Sequence, residues 1–129
     1  MVELDGEEHL VILGGEDVRN VDLSNVEVLN TQTEDIGCNP TDLPSGVWGH
    51  ASVYSSAIHS LITCGGYGNN GPVSSCSVQS KTGHHIIMPP MNSRRYKFAM
   101  ITIRNQLISI GGFPGGNTMT FPIPACLQF

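Results

Sequence analysis

The chain has 129 residues, of which 40% are hydrophobic, so it can bury one core, yet only 13% are charged, about half the usual share. Its net charge of −5 is unevenly placed: all eleven acidic residues lie between Glu3 and Asp42, where Arg19 is the only base, and residues 43–129 carry five bases and no acid. No run reaches the roughly 18 apolar residues of a membrane span, the N-terminus lacks a basic-then-apolar signal pattern, and there is no broad basic stripe with aromatic platforms for nucleic acid.

In chain order, Val2-Glu3-Leu4, Asp5-Gly6 and the run beginning at Leu10 predict a strand, a tight turn and a second strand. Asp-Gly favours that turn because both central residues adopt positive φ. Glu16 to Ser24 reads as a polar connection, and Asn25 to Asn30 as a strand with Val26 and Val28 on one face. A turn at Thr31-Gln32-Thr33 and a short strand from Ile36 towards Leu43-Pro44 follow. The next unit has predicted strands at 47–54, 61–64, 73–80 and 85–88, with a Gly/Asn-rich loop from Tyr67 to Pro72 and a stop at Pro89-Pro90. A third unit opens with a strand from Tyr96 to Ile103, turns at Arg104-Asn105, and continues from Leu107 to Ile110. The pattern then decays, and 113–129 reads as an irregular tail. No stretch shows 3.6-residue periodicity.

One phrase recurs through these units. Leu10-Val-Ile-Leu-Gly14-Gly15, Leu61-Ile-Thr-Cys-Gly65-Gly66 and Leu107-Ile-Ser-Ile-Gly111-Gly112 each join a short strand-forming run to a glycine pair. The intervals of 51 and 46 residues are those of one supersecondary unit used repeatedly. With fifteen glycines and eight prolines, the expectation is an all-β chain of short antiparallel strands, four per complete unit.

Most chemical motifs fail on their own terms. Gly66-x-Gly68-x-x-Gly71 matches a dinucleotide fingerprint, but a strand rather than a helix follows and no acidic residue lies downstream. Adjacent His84 and His85 on a strand point to opposite faces and do not converge on a metal. Ser, His and Asp occur without spacing that sets a nucleophile beside a base. No metal, cofactor or catalytic residue is expected. The spacings of Cys38, Cys64, Cys76 and Cys126 match neither a zinc nor a redox pattern. A Cys64–Cys76 disulfide is one reading; reduced cysteines packed as small hydrophobes are favoured, and with them a cytoplasmic chain.

The chain resembles the kelch-repeat β-propeller family. The resemblance rests on the hydrophobic runs ending in Gly-Gly, on Val26-Glu27-Val28-Leu29-Asn30 with Thr33, and on Pro89-Pro90-Met91-Asn92-Ser93-Arg94 leading through Ala99 to Asn105-Gln106-Leu107. The family's Tyr after Val-Glu is Leu29 here and Gln79 in the next unit, and its Trp three positions after the Thr is Ile36 and His85. The resemblance implies a partial propeller over 1–112, with blades at about 2–44, 46–91 and 94–112. Further blades or another chain would be needed for stability.

It also implies a non-catalytic protein-interaction module, belonging to a substrate adaptor of a cullin ubiquitin ligase or to a cytoskeletal scaffold. The alternative is an enzymatic propeller, oxidase- or lyase-like, with its active site in other blades. In the family, the junctions between blades and the loops after each Gly-Gly form a face that captures partner peptides, acidic ones among them. On this chain those positions are Arg94, Arg95 and Tyr96 with Lys97, Trp48 and His50 one junction earlier, and Tyr67, Asn69, Asn70 and Phe113. The arginines would grip carboxylates, and Gly14, Gly15, Gly65, Gly66, Gly111 and Gly112 would be structural.

Overall fold

The computed structural model describes residues 2–4, 7–30, 42–80, 85–114 and 119–122; among these there are strands and turns and no helix. In chain order the strands are β1 (Val2–Leu4), β2 (Glu7–Glu16), β3 (Asp22–Asn30), β4 (Ala51–Ser55), β5 (Ser60–Cys64), β6 (Tyr67–Gly68), β7 (Gly71–Pro72), β8 (Cys76–Ser80), β9 (His85–Met88), β10 (Ala99–Ile103), β11 (Gln106–Ile110) and β12 (Met119–Pro122). They form a first sheet β1-β2-β3, a second sheet β4-β5-β8-β9, a third sheet β10-β11-β12 and the two-stranded β6-β7. Every pairing is antiparallel, so the chain is all-β, and its second unit is four-stranded as its sequence pattern predicts.

Several boundaries differ from the sequence reading. The tail is not wholly irregular, because Met119–Pro122 pairs with β11 from Ser109 to Gln106. Four residues ending in proline carry too little alternation to be legible, and the neighbouring strand supplies the pairing. The polar connection at 16–24 shrinks to a tight turn. Asp17 closes it by accepting hydrogen bonds from the Arg19 and Val21 N–H groups and from the Arg19 guanidinium. The Val21 bond leads in lowering the Asp17 pKa, with the Arg19 contact next. The expected strands at 47–54, 73–80 and 96–103 begin later, at Ala51, Cys76 and Ala99. The Tyr67–Pro72 loop is itself a minimal hairpin. Residues 31–41, carrying most of the strand expected towards Leu43, lie outside the described residues.

The repeat extends to the connections between sheets. Gly15 N–H donates to the Val47 carbonyl, Val47 N–H to Leu23, and Leu43 N–H to Ser24; one unit later Gly66 donates to Arg95, Arg95 to Val73, and Met91 to Ser74. The first and second sheets therefore each receive the segment leading into the next one across the mouth of their Gly-Gly bends. The glycines make room for it. A Cβ on Gly14 would stand 2.7 Å from the Val47 carbonyl oxygen, and one on Gly65 2.6 Å from that of Arg95.

Strand register fixes which faces are buried. In the second sheet Ala51, Val53, Ile62, Cys64, Cys76, Val78 and Met88 share one face. Met100 and Leu107 of the third sheet join them in one core. A smaller core links Val11, Leu13 and Val26 of the first sheet to Leu43, Val47 and Val73.

Cys64 and Cys76 form a disulfide, correcting the preference for reduced cysteines at this pair; Cys38 and Cys126 lie outside the described residues. The β5–β8 register sets them directly opposite each other with their Cα atoms 4.1 Å apart. That register depends on the β6–β7 excursion between them, which cysteine spacing alone does not reveal. Closing a loop of this size stabilises by roughly 2–3 kcal/mol in the chain-entropy account. Reduction is expected to lower the melting temperature by about 10 °C, checked by calorimetry with and without reductant; coincident melts would refute a stabilising bridge.

Candidate aromatic interface

Two junctions and two loops supply a cluster of aromatic rings. Trp48 and Tyr96 occupy equivalent places, each one residue after the carbonyl that meets a glycine pair. Tyr67 and Phe113 each directly follow a pair. Backbone bridges tie them crosswise: Trp48 and Tyr67 exchange hydrogen bonds of 3.1 and 2.8 Å, and Tyr96 and Phe113 exchange two of 2.9 Å. The side chains then meet. Ring centroids lie 5.2 Å apart for Trp48–Tyr67, 5.4 Å for Trp48–Tyr96, 5.1 Å for Tyr67–Tyr96 and 5.9 Å for Tyr96–Phe113. These tilted and edge-on contacts are favourable geometries for aromatic pairs. The cluster is not sealed, since Trp48, Tyr67 and Tyr96 are half-buried and Phe113 is 59% exposed.

Lys97 brings a cation to this platform, its Nζ lying 5.6 Å from the Trp48 ring centroid. Its backbone is left-handed, φ 54°, at the place that Gly49 occupies one unit earlier with φ 63°. A lysine there carries steric strain of the kind that concentrates at functional sites. Lys97 N–H also donates to the Gly49 carbonyl at 2.6 Å, joining the two equivalent turns. Exposed Asn69 and Asn70 form the tip of the β6–β7 hairpin that Tyr67 opens, and Arg94 is exposed two residues before Tyr96. Of the sequence candidates, the structure thus gathers Trp48, Tyr67, Tyr96 and Phe113 into one contact cluster, with Lys97 against it.

Arg95 requires correction. Its side chain is 0% exposed, so it cannot reach a partner's carboxylate. Nη1 donates to the Gly111 carbonyl at 3.0 Å and Nη2 to Ser93 Oγ at 3.2 Å, and the guanidinium carbon lies 6.0 Å from the Phe98 ring centroid. Burial lowers its pKa from the usual arginine value, yet an arginine remains charged at neutral pH. Two adjacent arginines look alike in sequence; the backbone alternation turns one inward and leaves the other outside.

His50 also turns inward. It is half-buried, hydrogen-bonds the Leu13 backbone, and lies where Cβ atoms on Gly14 and Gly66 would meet it. Its Nδ1 is buried with no hydrogen-bond partner among the described residues. Burial pushes its pKa below the ordinary 6.5. The unfolded chain therefore binds the proton more readily, and this contribution to stability is complete above about pH 6.5 and lost as pH falls below it. The His50→Gln variant is expected to lose that component of acid sensitivity between pH 7 and 5, checked by melting both proteins across the range. Parallel profiles would exclude His50 as its source.

Among the described residues no three His, Cys, Asp or Glu side chains lie together as metal ligands, and no helix is long and apolar enough to cross a membrane. The Gly66–Gly71 stretch passes through β6 and β7 towards β8, without a helix N-terminus for a pyrophosphate. His84 lies outside the described residues. No protein-family model matches the chain, and no curated protein matches it.

Proposed function

We propose that the chain is part of a kelch-type β-propeller serving as a non-catalytic protein-interaction module, with the Trp48–Tyr67–Tyr96–Phe113 cluster as its working surface. The observation that carries this reading is the convergence of four rings from two repeated junctions and two repeated loops onto one partly open platform. Rigid Trp and Tyr side chains give large contact area at low entropic cost and dominate many interfaces. Lys97 against the platform and exposed Arg94 two residues before Tyr96 favour a partner peptide with carboxylates near an apolar anchor. The repeated junction bonds and stacked sheets support the blade reading. A ubiquitin-ligase adaptor or a scaffold would use such a surface to hold its client.

The test is capture from a bead-bound library of Glu/Asp-rich peptides containing one apolar residue. Tyr96→Ala is expected to weaken capture at least tenfold, the loss typical of a central aromatic anchor, while Arg94→Ala weakens it a few-fold. Both variants are first matched to the parent by melting temperature. Unchanged capture by a folded Tyr96→Ala protein would remove the cluster from the interface.

A further inference from the structure

The sheet stack has two open ends, and the chain's own internal contacts describe what fits them. Within the recurring phrase, the first and third residues point one way and the second and fourth the other. Ile62 and Cys64 of the second phrase are 0% and 1% exposed beneath the third sheet, and Leu107 of the third phrase is 0% exposed against the second. At the ends the same positions lie open. The equivalent face of the third sheet carries Ala99, Ile101, Ile103, Ile108 and Ile110, of which Ile101, Ile103 and Ile110 are 42%, 50% and 45% exposed. At the other end, Leu10, Ile12 and Leu29 share a face of the first sheet with Glu27; Ile12 is 50% exposed. No described sheet covers either face. Gly111 repeats the pattern, because a Cβ there meets no described residue within 4 Å, whereas those on Gly14 and Gly65 meet the next junction.

We infer that a second copy of this chain covers these ends, the outer face of its first sheet packing head-to-tail on the outer face of the third. Three observations favour that occupant. The two faces are the same pair of faces, by position in the repeat, that already pack inside each chain. Both carry aliphatic side chains; on the first sheet's face Glu27 lies among them, and by register Glu8 and Glu3 continue that face towards the edge of the sheet. The units that carry them are of opposite charge: residues 1–42 hold eleven acids against one base, while the third unit holds no acid and has exposed Arg94, Lys97 and Arg104. Such a contact is heterologous, using different patches on the two partners. Two copies would bring six three- or four-stranded sheets together, within the four to eight blades that close a propeller. This inference is independent of what the aromatic platform binds.

The experiment uses the full chain and two blocked variants, Ile12→Glu and the double variant Ile101→Glu/Ile103→Glu, all at positions already half open to solvent. Mass from light scattering at about 100 µM is expected to show a dimer for the parent and a monomer for each variant alone. An equimolar mixture of the two variants regains the dimer, because each retains the face that the other lacks. A monomeric parent, a variant that dimerises alone as the parent does, or a mixture that stays monomeric would each overturn the proposal. A readout free of mutation is the parent's dissociation constant between 50 and 500 mM NaCl. An increase of about fivefold is expected from screening of opposite charges, and salt-independent association would overturn the head-to-tail pairing.

Discussion

Gly65→Ala is expected to unfold the protein at moderate temperature, whereas Gly111→Ala, at the same place in the repeat, leaves it folded. Both glycines are left-handed, φ 66° and 77°, so alanine costs about 1–2 kcal/mol of backbone strain at either. The difference lies in what the new methyl meets. At Gly65 it stands 2.6 Å from the Arg95 carbonyl oxygen and 2.7 Å from Phe98, while at Gly111 it meets no described residue within 4 Å. The carbonyl cannot retreat without giving up the 2.9 Å bond it accepts from Gly66. Overpacking adds roughly 1–3 kcal/mol, for a total of roughly 2–5 kcal/mol at Gly65 on a domain of ordinary stability. Thermal melts of both variants decide the matter. Equal losses would mean that the junction contact contributes nothing beyond glycine's own conformation. Gly14, with the Val47 carbonyl 2.7 Å from its built Cβ, is expected to behave as Gly65 does.

Arg95→Ala is expected to cost roughly 2–4 kcal/mol of stability, from the lost hydrogen bonds and the cavity left by a fully buried side chain. Arg94→Ala should change stability by less than about 0.5 kcal/mol, as exposed substitutions usually do. The mechanism at Arg95 is specific. Its guanidinium ties the Gly111 carbonyl at the end of β11 to Ser93 in the segment entering the third sheet. Truncation thus loosens the third sheet from the second. Urea melts of the two variants check the contrast, and a fully stable Arg95→Ala protein would contradict the structural role. The pair also separates folding from recognition. If Arg95 gripped a partner, its loss would reduce capture and leave stability unchanged.

Much of the architecture is legible in local pattern. Strand-forming runs closed by Gly-Gly mark β2, β5 and β11, and alternation in Ala99 to Ile103 marks β10. The period sets three equivalent units side by side. The gathering of Trp48, Tyr67, Tyr96 and Phe113 also follows from position, because equivalent places in a repeat occupy equivalent places in the stack. Side-chain direction is harder to read. Arg94 and Arg95 have the same chemistry, and only the hydrogen bonds of Arg95 N–H to Val73 and of its carbonyl to Gly66 show which one points inward. The same holds for His50, whose surroundings come from the first sheet and from Gly66. The cation at the platform is Lys97, held in a left-handed conformation that no residue-type preference suggests.

The sequence by itself determined the all-β class, the repeat and the places where the chain bends, because these depend on propensity, periodicity and the steric freedom of glycine over a few residues. Tertiary structure alone decided the Cys64–Cys76 bridge, the strand at Met119–Pro122 and the burial of Arg95. Each of these depends on which distant segment lies alongside. Cys76 meets Cys64 because the β5–β8 register sets the two directly opposite each other. Strand pairing extends β12 beyond what its own residues favour, and a neighbouring sheet turns a surface-type arginine into part of the core.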